Sequence, residues 1–129
     1  MSRKLCAIIL VAALLGIAEA AAGVRLVSAQ LRQPWTGSYY GQGQRLWGRA
    51  VVRNDTGHES PDLRVRFEFY DKAGVRQRYD LDCPALAPHS TAVVASPQWW
   101  DYSEANLQLK VSVFAAGSGC RLDIAVAGR

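Results

Sequence analysis

The chain has 129 residues, of which 50% are hydrophobic and 20% charged, with a formal net charge of +4. That length fits about one domain with a modest core, and a charge this mild does not by itself name nucleic acid or an anionic membrane as a partner. Past residue 22 no segment is long and apolar enough to span a bilayer.

The first segment reads as an export signal. Arg3 and Lys4 open it, an apolar run extends from Leu5 to Ile17, and small residues follow at Ala18, Ala20, Ala21 and Ala22. This is the three-part layout of a secretory leader, cleaved after Ala20 or Ala22. The run is shorter than the ~20 residues a membrane helix needs, so a retained anchor is the lesser alternative. Lys4 and Leu5 precede Cys6 where a lipobox would place small residues, which argues against a lipoprotein. The expected organisation is a signal peptide over 1–22 and one domain over 23–129. The expected location is periplasmic or secreted, from a bacterium, with no stable membrane span after processing.

A first strand is expected over Val24 to Leu31, followed by a polar, glycine-bearing loop that carries Trp35, Tyr39 and Tyr40. Leu46 to Asn54 is a second strand, with Leu46, Gly48, Ala50 and Val52 on one face and Trp47, Arg49, Val51 and Arg53 on the other. Which of these faces turns inward is left open by the sequence. N-D-T-G, from Asn54 to Gly57, is turn chemistry, and Asn54 also heads an N-x-T sequon that matters only in a eukaryotic secretory pathway.

Between Asp62 and Asp82 the chain predicts a β-hairpin. Leu63, Val65, Phe67 and Phe69 alternate with Arg64, Arg66, Glu68 and Tyr70, the period of a strand buried on one face. Asp71 to Gly74 suits a turn whose glycine takes a positive φ. That turn sets Asp71 opposite Val75, Phe67 opposite Tyr79 and Leu63 opposite Leu81. On the outer side Glu68 meets Arg78, Arg66 meets Asp80 and Arg64 meets Asp82. These charge pairs specify register and explain the arginines without a nucleic-acid ligand.

Pro84 to Pro88 turns the chain into a short strand over Thr91 to Ala95, and Ser96 to Ala105 is expected to be a loop bearing Trp99, Trp100 and Tyr102. Leu107 to Val113 and Cys120 to Val126 are the last alternating strands. About seven short strands and no amphipathic helix predict an all-β, two-sheet sandwich of the Ig-like or fibronectin-like kind. Cys83 and Cys120 survive export as an even pair, which favours a disulfide. The bridge requires that their strands not lie at opposite edges of one sheet, where the Cα separation would exceed the ~7 Å limit.

F-E-F-Y-D at Phe67 to Asp71, followed by Gly74, resembles the F-x-L-Y-D signature of the FxLYD domain, with Phe69 where that family has leucine. V-V-R-N-D-T (Val51 to Thr56) and A-L-A-P-H-S-T-A-V (Ala85 to Val93) fit the same context, so the resemblance covers roughly Trp47 to Val113. Small periplasmic lipoproteins are similar as well. The resemblance implies an extracytoplasmic Ig-like fold and transfers no catalytic residue. This chain departs from it in lacking a lipobox and in adding the strand that begins at Cys120.

The residues for catalysis are few. His58 and His89 fall in loops, and no nucleophile elbow, zinc-binding helix motif or phosphate loop is present. Asp80 and Asp82 could be read as a glycosidase pair, but arginine partners would depress their pKa values, the wrong direction for a general acid. No enzyme, cofactor or metal site is expected. The aromatic groups Trp35, Tyr39, Tyr40 and Trp99, Trp100, Tyr102 either plug the ends of the sandwich or contact a ligand. The reading is a non-enzymatic exported module that binds another envelope protein. The alternative is a carbohydrate-binding module, favoured if Trp99 and Trp100 form a flat exposed pair.

Overall fold

The computed structural model describes residues 23–33, 44–101 and 106–128. The leader over 1–22 lies outside them, as do Trp35, Tyr39, Tyr40 and Tyr102 of the candidate contact residues. The described residues form eight strands in chain order: β1 (Val24–Arg32), β2 (Gln44–Asn54), β3 (Leu63–Asp71), β4 (Gly74–Cys83), β5 (Thr91–Ala95), β6 (Trp99–Asp101), β7 (Gln108–Ala115) and β8 (Arg121–Ala127). One sheet runs β1-β2-β5, with β6 also paired to β2, and the other runs β4-β3-β7-β8. Every pairing is antiparallel.

Alternation in the sequence becomes the core directly. Leu46, Ala50 and Val52 of β2 face Leu63, Val65, Phe67 and Phe69 of β3 and Leu109, Val111 and Val113 of β7, all buried. This settles the orientation of β2: its small-residue face is the inner one, and Trp47 lies on the outer face. The strand β6 was expected to be loop. It pairs Trp99 with Leu46 and Trp100 with Arg45, so the expectation of about seven strands becomes eight. A short segment pairs when a neighbouring strand offers free backbone groups, which local composition does not report.

The β3–β4 hairpin forms with a positive φ of 125° at Gly74, and the pairs Phe67–Tyr79, Arg66–Asp80 and Arg64–Asp82 stand as expected. Two details differ. Leu63 faces Cys83, and Leu81 faces Val65 instead, because the register that joins Phe67 to Tyr79 carries through unbroken. Near the turn Asp71 faces Gly74, Tyr70 faces Val75 and Phe69 faces Gln77, which leaves Arg76 as the extra residue of a bulge. Glu68 lies opposite Arg78 in register, yet its ion pair is with Lys110 of β7 at 3.8 Å, while Arg78 turns along its own strand to Asp80 at 3.4 Å.

The expected Cys83–Cys120 disulfide is not formed. Cys83 is a free, buried thiol, and burial pushes its pKa up. The reason is the sheet order: Cys83 ends β4 and Cys120 precedes β8, and those strands are the opposite edges of the β4-β3-β7-β8 sheet. Each step across a sheet adds about 4.8 Å, so this separation is well beyond disulfide reach.

Candidate functional site

Asn54 closes β2 and organises one end of the sandwich. It is fully buried, and its two Nδ2–H groups are shared among the carbonyls of His58 at 2.7 Å, Leu86 at 3.1 Å and Ala87 at 3.3 Å. Its Oδ1 accepts from the Thr56 N–H at 3.0 Å and the Thr56 hydroxyl at 2.8 Å. The sequon thus has no accessible amide in the folded chain. His58 and His89 sit at this end and are exposed; His89 has a positive φ of 55° and donates its backbone N–H to the Thr56 carbonyl. The N-D-T-G signal marked the turn, but the buried network depends on the Leu86–Ala87 segment arriving from elsewhere in the chain.

The carboxylates of the hairpin point outward with arginine partners. Arg66 donates to Asp80 at 2.8 Å and Arg64 approaches Asp82 at 3.5 Å. The hydrogen bond from Arg66 holds the Asp80 carboxyl below its ordinary range, helped by the charges of Arg66 and Arg78 and opposed by partial burial. Among the described residues, no group of three or more His, Cys, Asp or Glu side chains is placed to hold a metal ion. No helix of the described residues is long and apolar enough to cross a membrane.

The two neighbouring tryptophans of β6 turn to opposite sides. Trp99 packs against the core, its ring set edge-on to Phe69 with centroids 5.2 Å apart. Trp100 faces outward and is 48% exposed, with the Arg45 guanidinium lying over its ring at 5.0 Å. The chain between β5 and β6 is stitched to β2 at one point, where the Gly48 N–H donates to the Ser96 hydroxyl at 2.8 Å and the Ser96 N–H donates to the Gly48 carbonyl at 2.9 Å.

No protein-family model matches the chain, and no curated protein matches it. Among solved structures it is similar to a β-glucuronidase of Bacteroides uniformis, with TM-score 0.69 and 12% identity over 81% of this chain and 14% of that one. It is similar also to a β-glucuronidase from glycoside hydrolase family 2, with TM-score 0.61 and 9% identity over 81% of this chain and 12% of the enzyme. A CARDB domain from Pyrococcus furiosus aligns with TM-score 0.51 and 13% identity over 82% of this chain and 93% of the domain. The chain is an Ig-like β-sandwich. It spans about one seventh of the length of the first of these enzymes, and identities this low carry the fold and nothing of their activity.

A second feature was only half legible from the sequence. Along β2, Arg45, Trp47, Arg49 and Arg53 share the outer face, and pairing with β1 brings Arg25 beside Arg53 and Arg32 beside Trp47. The Arg32 guanidinium lies over the Trp47 ring at 5.8 Å. Asp55 takes ion pairs from both Arg25 and Arg53, and hydrogen bonds from these two hold its carboxyl below the ordinary range. Alternation along β2 placed Trp47 with Arg49 and Arg53. The contributions of β1 and β6 to that face required the register between strands.

Proposed function

We propose that this chain is a non-enzymatic, exported β-sandwich module of the bacterial envelope that works by binding another protein. The observation that carries this reading is the split orientation of Trp99 and Trp100. A sugar-binding platform needs neighbouring rings presented flat to solvent. Here Trp99 is committed to Phe69 and Trp100 lies under Arg45, so the pair that would have favoured a glycan does not form. Export is supported by the leader-like segment over 1–22, and an extracytoplasmic setting by the FxLYD-like motif from Phe67 to Asp71. An Ig-like sandwich of this size is a common scaffold for presenting faces and loops to partners.

The test is cross-linking in the native envelope followed by affinity capture, run beside tryptophan-fluorescence titration with peptidoglycan fragments and neutral polysaccharides. A protein partner retained at stoichiometric yield, with no spectral shift from the saccharides, is the expected result. A saturable shift with a neutral saccharide and no captured protein would reverse the assignment in favour of the carbohydrate-binding reading.

A further inference from the structure

Positive charge is distributed unequally over the two outer faces. On the second sheet, Arg64, Arg66, Arg76, Arg78 and Lys110 each have a carboxylate within 4 Å, drawn from Asp82, Asp80, Asp71 and Glu68, which leaves Arg121 at the start of β8 without an ion pair among the described residues. On the first sheet, Arg25, Arg32, Arg45, Arg49 and Arg53 share one outer face with a single acidic side chain, Asp55, which is engaged by Arg25 and Arg53. Among the described residues, Arg32, Arg45 and Arg49 have no carboxylate partner. A flat basic face of this kind attracts anions and rejects cationic surfaces.

The spacing on that face is regular. Arg45, the Trp47–Arg32 pair and Arg49 occupy successive outward positions of β2 and its neighbour, so they recur at about 7 Å along the strand direction. Outward side chains on one side of an extended polypeptide recur at the same ~7 Å. Stacking ligands are disfavoured here, because sugars and bases need a bare ring. The guanidiniums of Arg32 and Arg45 already lie over Trp47 and Trp100. A guanidinium held flat on a ring still presents its N–H edge to a carboxylate. Strand addition at the β4 and β5 edges is discouraged by other features. The β4 edge carries Arg76, Arg78, Asp80 and Asp82, and β5 is a five-residue strand followed by Pro97.

We propose that the outer face of the first sheet docks an extended acidic segment of the partner protein, whose alternate carboxylates are taken by Arg45, Arg32 and Arg49. This rests on the protein-partner reading above and names the surface and the chemistry of the contact.

The probe is a short blocked peptide alternating Glu and Thr, titrated calorimetrically into the exported protein at low and at physiological salt, beside its Gln–Thr counterpart and an oligogalacturonate of equal charge. Two variants are compared, R32Q/R45Q/R49Q on the proposed face and R64Q/K72Q/R121Q elsewhere. The Glu–Thr peptide is expected to bind and the Gln–Thr peptide not to bind. Wild-type affinity should fall with salt, and relative to wild type it should drop about tenfold or more in the first variant and less than about twofold in the second. No binding of the Glu–Thr peptide, equal weakening in both variants, or tighter binding of the oligogalacturonate would overturn the proposal. Envelope capture separates this failure from that of the broader reading. A partner retained equally by wild type and R32Q/R45Q/R49Q overturns the acidic-segment face alone, whereas a wild type that retains no protein overturns both.

Discussion

Gly48 of β2 lies against the ring of Phe67 on the opposing sheet: a Cβ added at Gly48 would stand 2.6 Å from Phe67 Cδ1 and 3.0 Å from Leu109 Cδ2. Backbone meets side chain there, and the Phe67 ring and the Leu109 side chain are both fully buried. Gly48→Ala should therefore destabilise the fold by about 1–3 kcal/mol through overpacking, and Gly48→Val by more. Urea denaturation reads this as a lower midpoint at unchanged slope. Adding Phe67→Leu to Gly48→Ala should recover part of the loss, since contacting residues couple. An unchanged midpoint in Gly48→Ala would mean that the sheets stand further apart.

Asn54 stabilises the end of the sandwich by satisfying three carbonyls and two Thr56 donors at once. Asn54→Ala leaves the Thr56 N–H without its acceptor, at about 1–3 kcal/mol, while the three carbonyls keep second donors in the Thr56 hydroxyl, the Ser60 N–H and the Ser90 N–H and hydroxyl. The expected outcome is a clear drop in melting temperature, with Asn54→Asp also destabilised because a carboxylate accepts and cannot donate to the carbonyls. Expression through a eukaryotic secretory route gives a second measurement. Folded, secreted protein should carry an unmodified Asn54 by peptide mass spectrometry, and a glycosylated folded fraction would contradict the buried network.

The hairpin and the two long strands were legible because each residue there signals its own side: Leu63 to Phe69 and Leu109 to Val113 alternate without interruption, and Gly74 alone fits its turn. What was not legible depends on neighbours supplied from afar. The strand identity of Trp99–Asp101 depends on Gln44–Leu46 being there to pair with it. The basic face combines Arg32 from β1 with Arg45 and Arg49 from β2, residues whose juxtaposition no local pattern encodes. The disulfide expectation failed for the same reason: parity of cysteines is local information, and sheet order is not.

Trp99 and Trp100 should respond oppositely to truncation. Trp99→Ala removes a ring packed on Phe69 and is expected to cost about 3 kcal/mol or more, near the range for core aromatics. Trp99→Phe should be far milder. The Trp99 indole N–H is buried without an acceptor among the described residues, so losing that donor offsets lost packing. Trp100→Ala, at an exposed site, should stay within about 1 kcal/mol of wild type. Chemical denaturation of the three variants checks the order, and a Trp100→Ala loss equal to that of Trp99→Ala would contradict the assigned orientations.

The Cys83 thiol is buried and its pKa is raised by that burial, which suppresses the reactive thiolate. In folded protein without reductant, labelling of Cys83 by iodoacetamide should be slow, and unfolding should make it rapid. Peptide mapping identifies the alkylated residue. A cross-linked peptide joining Cys83 to Cys120 would place their strands together and break the β4-β3-β7-β8 order.

Asp55 and Asp80 set the direction of the pH response. Hydrogen bonds from Arg25 and Arg53 lower the pKa of the first, and one from Arg66 lowers that of the second. A carboxyl with a folded pKa below its unfolded one stabilises fully above the unfolded value, about pH 4, and loses that contribution as pH falls through the folded value. Stability from these groups should therefore be flat between about pH 5 and 8 and decline below about pH 4. For Asp80, partly exposed, the contribution is at most about 1 kcal/mol. Asp80→Asn removes the charge that Arg66 recognises, so its denaturation midpoint should change less between pH 7 and pH 3 than that of wild type. An identical acid loss in both proteins would show that the Arg66–Asp80 contact does not contribute to stability.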